Sequence, residues 1–162
     1  MSAGAGHFNA VWSGPLGHFG VRVQDDYVTA IERLEAGTAR DADHPLAAET
    51  VRQLAAWYED PTRPFALPLA PASTPFQRRF RELLCRVPAG EVCTYGELAE
   101  QLGSAPRAVG GACRANPLPL VVPCHRVIAA GGGIGGYGGR WGSGPDVDFK
   151  QWLLEHERAL TR

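Results

Sequence analysis

The run Leu120-Val121-Val122-Pro123-Cys124-His125-Arg126-Val127-Ile128 constrains this chain more than any other stretch. Its apolar residues demand burial, yet it carries a thiol, an imidazole and a guanidinium in succession. Buried titratable groups are costly unless they are paired. A plain core strand has no use for such a triplet, so the run is expected to line a pocket with Cys124 as candidate nucleophile. A thiol at pH 7 is mostly protonated and needs a base or a positive field to react. His125 is adjacent in sequence, and adjacent side chains normally diverge. A relay through a bound water is therefore easier to build than a direct Cys-His bond. The second ring nitrogen of His125 then needs an acceptor, and Glu157 near the C-terminus is the candidate. The competing reading of Cys124 is an inert core thiol, against which Pro123 and the His-Arg pair weigh. Cys85, Cys93 and Cys113 are read as inert.

The segments upstream predict how something reaches that pocket. Thr74 caps a helix striped by Phe76, Phe80, Leu83 and Leu84, which Pro88-Ala89-Gly90 stops. Thr94-Tyr95-Gly96-Glu97 is a capping box opening a short helix through Leu102. Gly103-Ser104 turns the chain, and Pro106 suits the first turn of a second helix through about Arg114. The outline is a helix-turn-helix or a simple αα-hairpin. Arg107-Ala108-Val109-Gly110-Gly111-Ala112-Cys113-Arg114 has small residues where a packing helix carries Leu or Ile. Two glycines there cost roughly 1 kcal/mol each relative to Ala. Such a face lets something large approach the backbone, and Arg107 is placed to reach into nucleic acid. A plain surface arginine is the alternative.

The charge distribution fits an anionic partner. Residues 1–70 hold five Arg against nine acidic residues, a net of −4, whereas residues 76–126 hold seven Arg against four Glu, a net of +3. A near-neutral total therefore hides a basic region that phosphates would sense. Alternation at Phe8–Trp12, at Phe19, Val21 and Val23, and at Tyr27–Ile31 predicts a small antiparallel sheet. Leu46, Val51, Leu54, Ala55 and Tyr58 predict a helix covering it, and Pro61–Pro75 reads as a linker or an edge strand. The expected class is α+β, with an N-terminal α/β domain at 1–70 and a helical domain at 71–162. His7, His18 and His44 lack Cys partners, so no metal site is expected.

Gly131, Gly133 and Gly136 match G-x-G-x-x-G, but Tyr137 through Pro145 cannot start the helix that a dinucleotide site needs. A pocket wall around Tyr137 is the better reading. Asp148 to about Leu160 is read as a helix with Phe149, Trp152, Leu153, His156 and Leu160 on its apolar side. Met1–His7 has no basic region followed by an apolar one, and no apolar run is long enough to span a bilayer. The expectation is a cytoplasmic protein with no membrane partner.

These residues resemble the O6-alkylguanine-DNA alkyltransferases. The resemblance rests on Pro123-Cys124-His125-Arg126-Val127, on Arg107 through Ala112 with Asn116-Pro117, on Tyr95, on Gly136-Tyr137-Gly138-Gly139 and on Trp152 through Glu157. It covers about residues 74–160 and extends to the front half only by shape. It implies a ribonuclease-H-like N-terminal part, and a C-terminal helix-turn-helix that docks in the minor groove of duplex DNA containing O6-alkylguanine. Ala108, Gly110, Gly111, Ala112 and Arg114 would face DNA, and Arg107 would fill the space left by a flipped nucleotide. Cys124 would take the alkyl group once and irreversibly, His125 the thiol proton, and Glu157 would orient His125. Tyr95 would hydrogen-bond or protonate the leaving base, the Val127 backbone would read its exocyclic amine, and the Gly138 N–H would face its oxygen. Asn116 would brace the turn, Tyr137 would be a wall, and no metal or organic cofactor would be required. O4-alkylthymine would be a second substrate to test. The resemblance also implies a monomer at the nucleoid. Cys113 and Ala115 stand where relatives often carry Met and Gly, which bears on pocket width. Two rivals are a Cys-His hydrolase that turns over and a DNA binder in which Cys124 is merely buried.

Overall fold

The structure is a computed structural model, which describes residues 7–37, 39–133, 135 and 145–161. The chain forms two compact units, Met1–Ala70 and Pro71–Arg162. In the first, β1 (Ala10–Gly14), β2 (Gly17–Gln24) and β3 (Tyr27–Leu34) form an antiparallel sheet in sequence order. Period-two alternation turns Phe19, Val21, Val28 and Ile31 into the core. Helix α1 (Pro45–Glu59) packs on that sheet with Ala47, Leu54 and Trp57. His44 caps it, its Nδ1 accepting from the Leu46 N–H at 3.0 Å. The proline-rich segment serves as an edge, since Val28 N–H donates to Pro68 O and Ala70 N–H to Val28 O, each at 2.9 Å.

The second unit carries the expected helices. Thr74 caps α2 (Pro75–Leu84), which buries Phe80 and Leu84. Both halves of the capping box form at α3 (Tyr95–Leu102): Glu97 N–H donates to Thr94 Oγ1 at 3.0 Å, and Thr94 N–H to Glu97 Oε1 at 2.8 Å. Gly103 then adopts φ +62°, a left-handed conformation that glycine takes without steric cost. The turn leads through Pro106 into α4 (Pro106–Arg114), completing the helix-turn-helix outline. Beyond it, Leu118 to Pro123 lead to a single 3₁₀ turn, Cys124–Arg126. Two-residue strands β4 (Cys93–Thr94) and β5 (Val127–Ile128) pair in parallel, with Cys93 opposite Val127. The whole is α+β. Among the described residues no helix is long and apolar enough to cross a membrane.

The last helix, α5 (Pro145–Thr161), is rotated from the expected stripe. It buries Val147, Phe149, Lys150, Leu153 and Glu157, while Trp152 is 38% exposed. Trp152 instead stacks on His156, ring centroids 4.8 Å apart. Two charged residues thus occupy the inward face, and an aromatic pair lies outside it.

Candidate active site and nucleic-acid face

Cys124 opens the 3₁₀ turn and is 8% exposed. Its N–H donates to Val122 O at 2.8 Å, and that same oxygen accepts from Asn116 Nδ2 at 2.9 Å. Asn116 Oδ1 accepts from the Leu118 N–H at 3.0 Å, so one side chain pins both ends of the corner. It also hydrogen-bonds the thiol. Leu120, buried within this corner, sits at φ +73°, a conformation that costs a non-glycine residue on the order of 1 kcal/mol or more.

Burial pushes the Cys124 thiol up, against the pull of the Asn116 hydrogen bond and the Lys150 charge. The Cys124 thiol therefore rests neutral. Burial also depresses His125, which stays neutral and able to accept one, although Glu157 pulls it upward. His125 Nε2 lies 3.0 Å from Glu157 Oε2, both side chains fully buried. For Glu157, burial raises the pKa, but His125 and Arg126 outweigh it and hold the carboxyl at about 2. Arg126 grips Glu157 as a fork, with Nε to Oε1 at 3.1 Å and Nη2 to Oε2 at 2.6 Å, and its Nη1 donates to Val87 O at 2.6 Å. Bidentate geometry of this kind fixes orientation as well as charge.

Sequence reasoning assigned no part to Lys150 or to the Arg126 fork. Lys150 is fully buried, its Nζ donating to Val127 O at 2.6 Å and lying 5.7 Å from the Tyr95 ring centroid. Burial lowers its pKa to about 8, while Cys113, Cys124 and Cys93 oppose the fall. One signal was available: Lys150 lies seven residues before Glu157, on the same face of a helix. Val127 O, expected to read the base, has one of its two acceptor directions taken by Lys150.

Tyr95 is buried at the start of α3. Gly135 lies against it at φ +75°, where an added Cβ would fall 2.9 Å from Tyr95 Cε2 and 3.0 Å from its hydroxyl. That glycine lets the loop backbone close over the phenol. Cys113 is half-buried, and burial pushes its thiol up to about 12. Tyr137 and Gly138 lie outside the described residues. No group of three His, Cys, Asp or Glu among the described residues is arranged to hold a metal.

Helix α4 divides cleanly. Val109 and Ala112 are buried, and Arg107, Ala108, Gly111, Arg114 and Ala115 are exposed, with Gly110 at the margin. Ala112 therefore corrects its assignment to the outer face: three residues after Val109, it turns into the core. At Gly110 and Gly111 an added Cβ would meet nothing within 4 Å. Internal packing therefore does not require either glycine. Arg107 occupies the first turn, where the helix dipole disfavours a cation.

Residues 75–159 match the family model described as 6-O-methylguanine DNA methyltransferase, DNA binding domain. The chain is similar to the constitutive methylated-DNA–protein-cysteine methyltransferase of Bacillus subtilis, 34% identical over 155 residues, covering 89% of this chain and 91% of that protein. It is 50% identical over 96 residues to the methylated-DNA–protein-cysteine methyltransferase of Shigella flexneri, covering 58% of this chain and 53%, about half, of that relative's length. Its fold is similar to the crystal structure of Mycobacterium tuberculosis OGT in complex with DNA. The TM-score is 0.78 and the identity 33%, over 93% of this chain and 92% of that one.

Proposed function

Since the chain belongs to the 6-O-methylguanine DNA methyltransferase family, we propose that it repairs DNA by moving an alkyl group from O6-alkylguanine in a duplex onto Cys124. The observation that carries this reading is a buried thiol next in sequence to a neutral imidazole that contacts an ionised carboxylate, in the same unit as a helix-turn-helix with an open small face. Arg107, Ala108, Gly110, Gly111 and Arg114 meet the minor groove. Arg107 fills the gap left when the damaged nucleotide swings into the pocket, at a cost of a few kcal/mol.

His125 takes the Cys124 proton through a bound water, and Glu157, locked by Arg126, orients His125 and stabilises the imidazolium. Lys150 supplies the positive field that an emerging thiolate needs. The thiolate attacks the alkyl carbon as the bond to the guanine oxygen breaks, and Tyr95 protonates the departing base. Asn116 positions the nucleophile, Cys113 lines the pocket, and the Val127 carbonyl reads the base. The product thioether has no hydrolytic exit, so each molecule acts once. No cofactor enters this chemistry. The protein would work as a monomer at the nucleoid in the cytoplasm, with O4-alkylthymine as a second substrate to test.

The test is intact mass after mixing with duplex DNA bearing O6-methylguanine. One methyl group is expected on Cys124, at one equivalent per protein, and none in Cys124→Ala. Binding with no mass gain, or repeated turnover, would defeat the proposal.

A further inference from the structure

Val127, whose carbonyl is proposed to read the base, is held from several sides. Its N–H donates to Cys124 O and closes the 3₁₀ turn that carries the nucleophile. It stands opposite Cys93 in the parallel β4–β5 pair. Its carbonyl accepts from Lys150 Nζ at 2.6 Å, and both residues are fully buried. The same ammonium lies 5.7 Å from the centroid of the Tyr95 ring. One side chain thus bonds the carbonyl proposed to meet the base and approaches the phenol proposed to protonate it. A lysine is a costly way to satisfy a buried main-chain oxygen, because any neutral donor would serve and a charge must be taken out of water.

We propose that Lys150 is a positioning residue for substrate choice: by holding the Val127 carbonyl, it presets the acceptor that tells a purine bearing an exocyclic amine from one without it. This inference rests on the proposed reading of Val127 and goes beyond the field that Lys150 supplies to Cys124. A carbonyl oxygen has two acceptor directions, and an ammonium on one of them fixes the group while leaving the other for a ligand. The two roles of Lys150 differ in what they act on. A field at the thiol speeds transfer from any base alike. A preset acceptor favours only a base that has an amine to donate. Without Lys150 the buried oxygen loses its donor and its fixed direction, and the amine meets a carbonyl out of place.

The experiment measures single-turnover methyl transfer, by intact mass of the full chain, from two duplexes that differ only in the damaged base. One carries O6-methylguanine and the other O6-methylhypoxanthine, the same base without the exocyclic amine. Each is mixed with the wild type and with Lys150→Met, and the ratio of the two rates is compared between the proteins. That comparison cancels any difference in how readily the two bases leave the helix, because Lys150 is buried and does not meet the duplex. The preference for O6-methylguanine should be about fivefold smaller in Lys150→Met than in the wild type, the worth of one neutral hydrogen bond. Lys150→Leu gives the same reading if the methionine variant does not fold. An unchanged ratio, with both donors slowed equally, would overturn the inference, leave Lys150 as a source of field alone, and leave the proposed function standing. No methyl group on wild-type Cys124 from either duplex would instead defeat the proposed function, and the inference with it.

Discussion

Helices α4 and α5 belong to the same unit, and each breaks a rule of helix design in its own way. Helix α4 leaves its outer face nearly bare, with glycines that pack against nothing. Helix α5 fills its inner face with Lys150 and Glu157, charges that a core would normally exclude. Both choices cost stability, and the difference lies in what the cost secures. On α4, under the proposed function, it keeps room for DNA. On α5 it fixes protonation states inside it: Glu157 ionised, His125 neutral and Lys150 cationic near neutral pH.

The largest break in this comparison should come from Glu157→Gln. It strands the buried Arg126 guanidinium and removes the acceptor of His125, so a loss of roughly 3–5 kcal/mol in denaturant unfolding is expected, with alkyl transfer slowed about 10²-fold or more. The pH dependence has a definite sign. The folded-state pKa of Glu157 lies below its unfolded value, so its contribution is complete above the ordinary carboxylate pKa and lost as pH falls through about 2. The variant should lack that acid limb. Unchanged stability in Glu157→Gln would mean that the ion pair does not anchor α5.

Lys150→Met separates function from packing. Its lowered pKa corresponds to a folded-state penalty on the order of 3 kcal/mol, offset by the hydrogen bond to Val127 O. Loss of both should leave the melting temperature unchanged or raised, while single-turnover alkyl transfer slows about tenfold or more through loss of the field at Cys124. A variant that unfolds early and reacts normally would make Lys150 a structural residue.

Gly111→Ala should move the two properties in opposite directions by a small amount. A methyl in open space should stabilise α4 by about 1 kcal/mol, and the same methyl should weaken duplex binding several-fold. Gains in both would show that the bare face is not reserved for DNA.

What could be read from the sequence follows the same division. The capping box at Thr94, the cap at Thr74 and the bare face of α4 are local, because a few neighbouring residues decide them. The contact between His125 and Glu157 was also legible, since an imidazole in an apolar run asks for an acceptor. The rotation of α5 was not. Hydropathy puts Trp152 and His156 inside, but the Arg126 fork and the Val127 carbonyl lie across from Lys150 and Glu157, and only tertiary structure says so. Ala112 failed for a related reason: alanine suits a bare surface and a close-packed core equally well.

On the proposed function, α4 delivers the base and the pocket beside α5 performs the chemistry. The most direct test compares Arg107→Ala with the wild type in single-turnover transfer from two donors, a duplex carrying O6-benzylguanine and the free base O6-benzylguanine. A loss of at least roughly tenfold is expected on the duplex, set by the few kcal/mol of flipping that Arg107 offsets, and an unchanged rate on the free base. Equal slowing on both donors would contradict it.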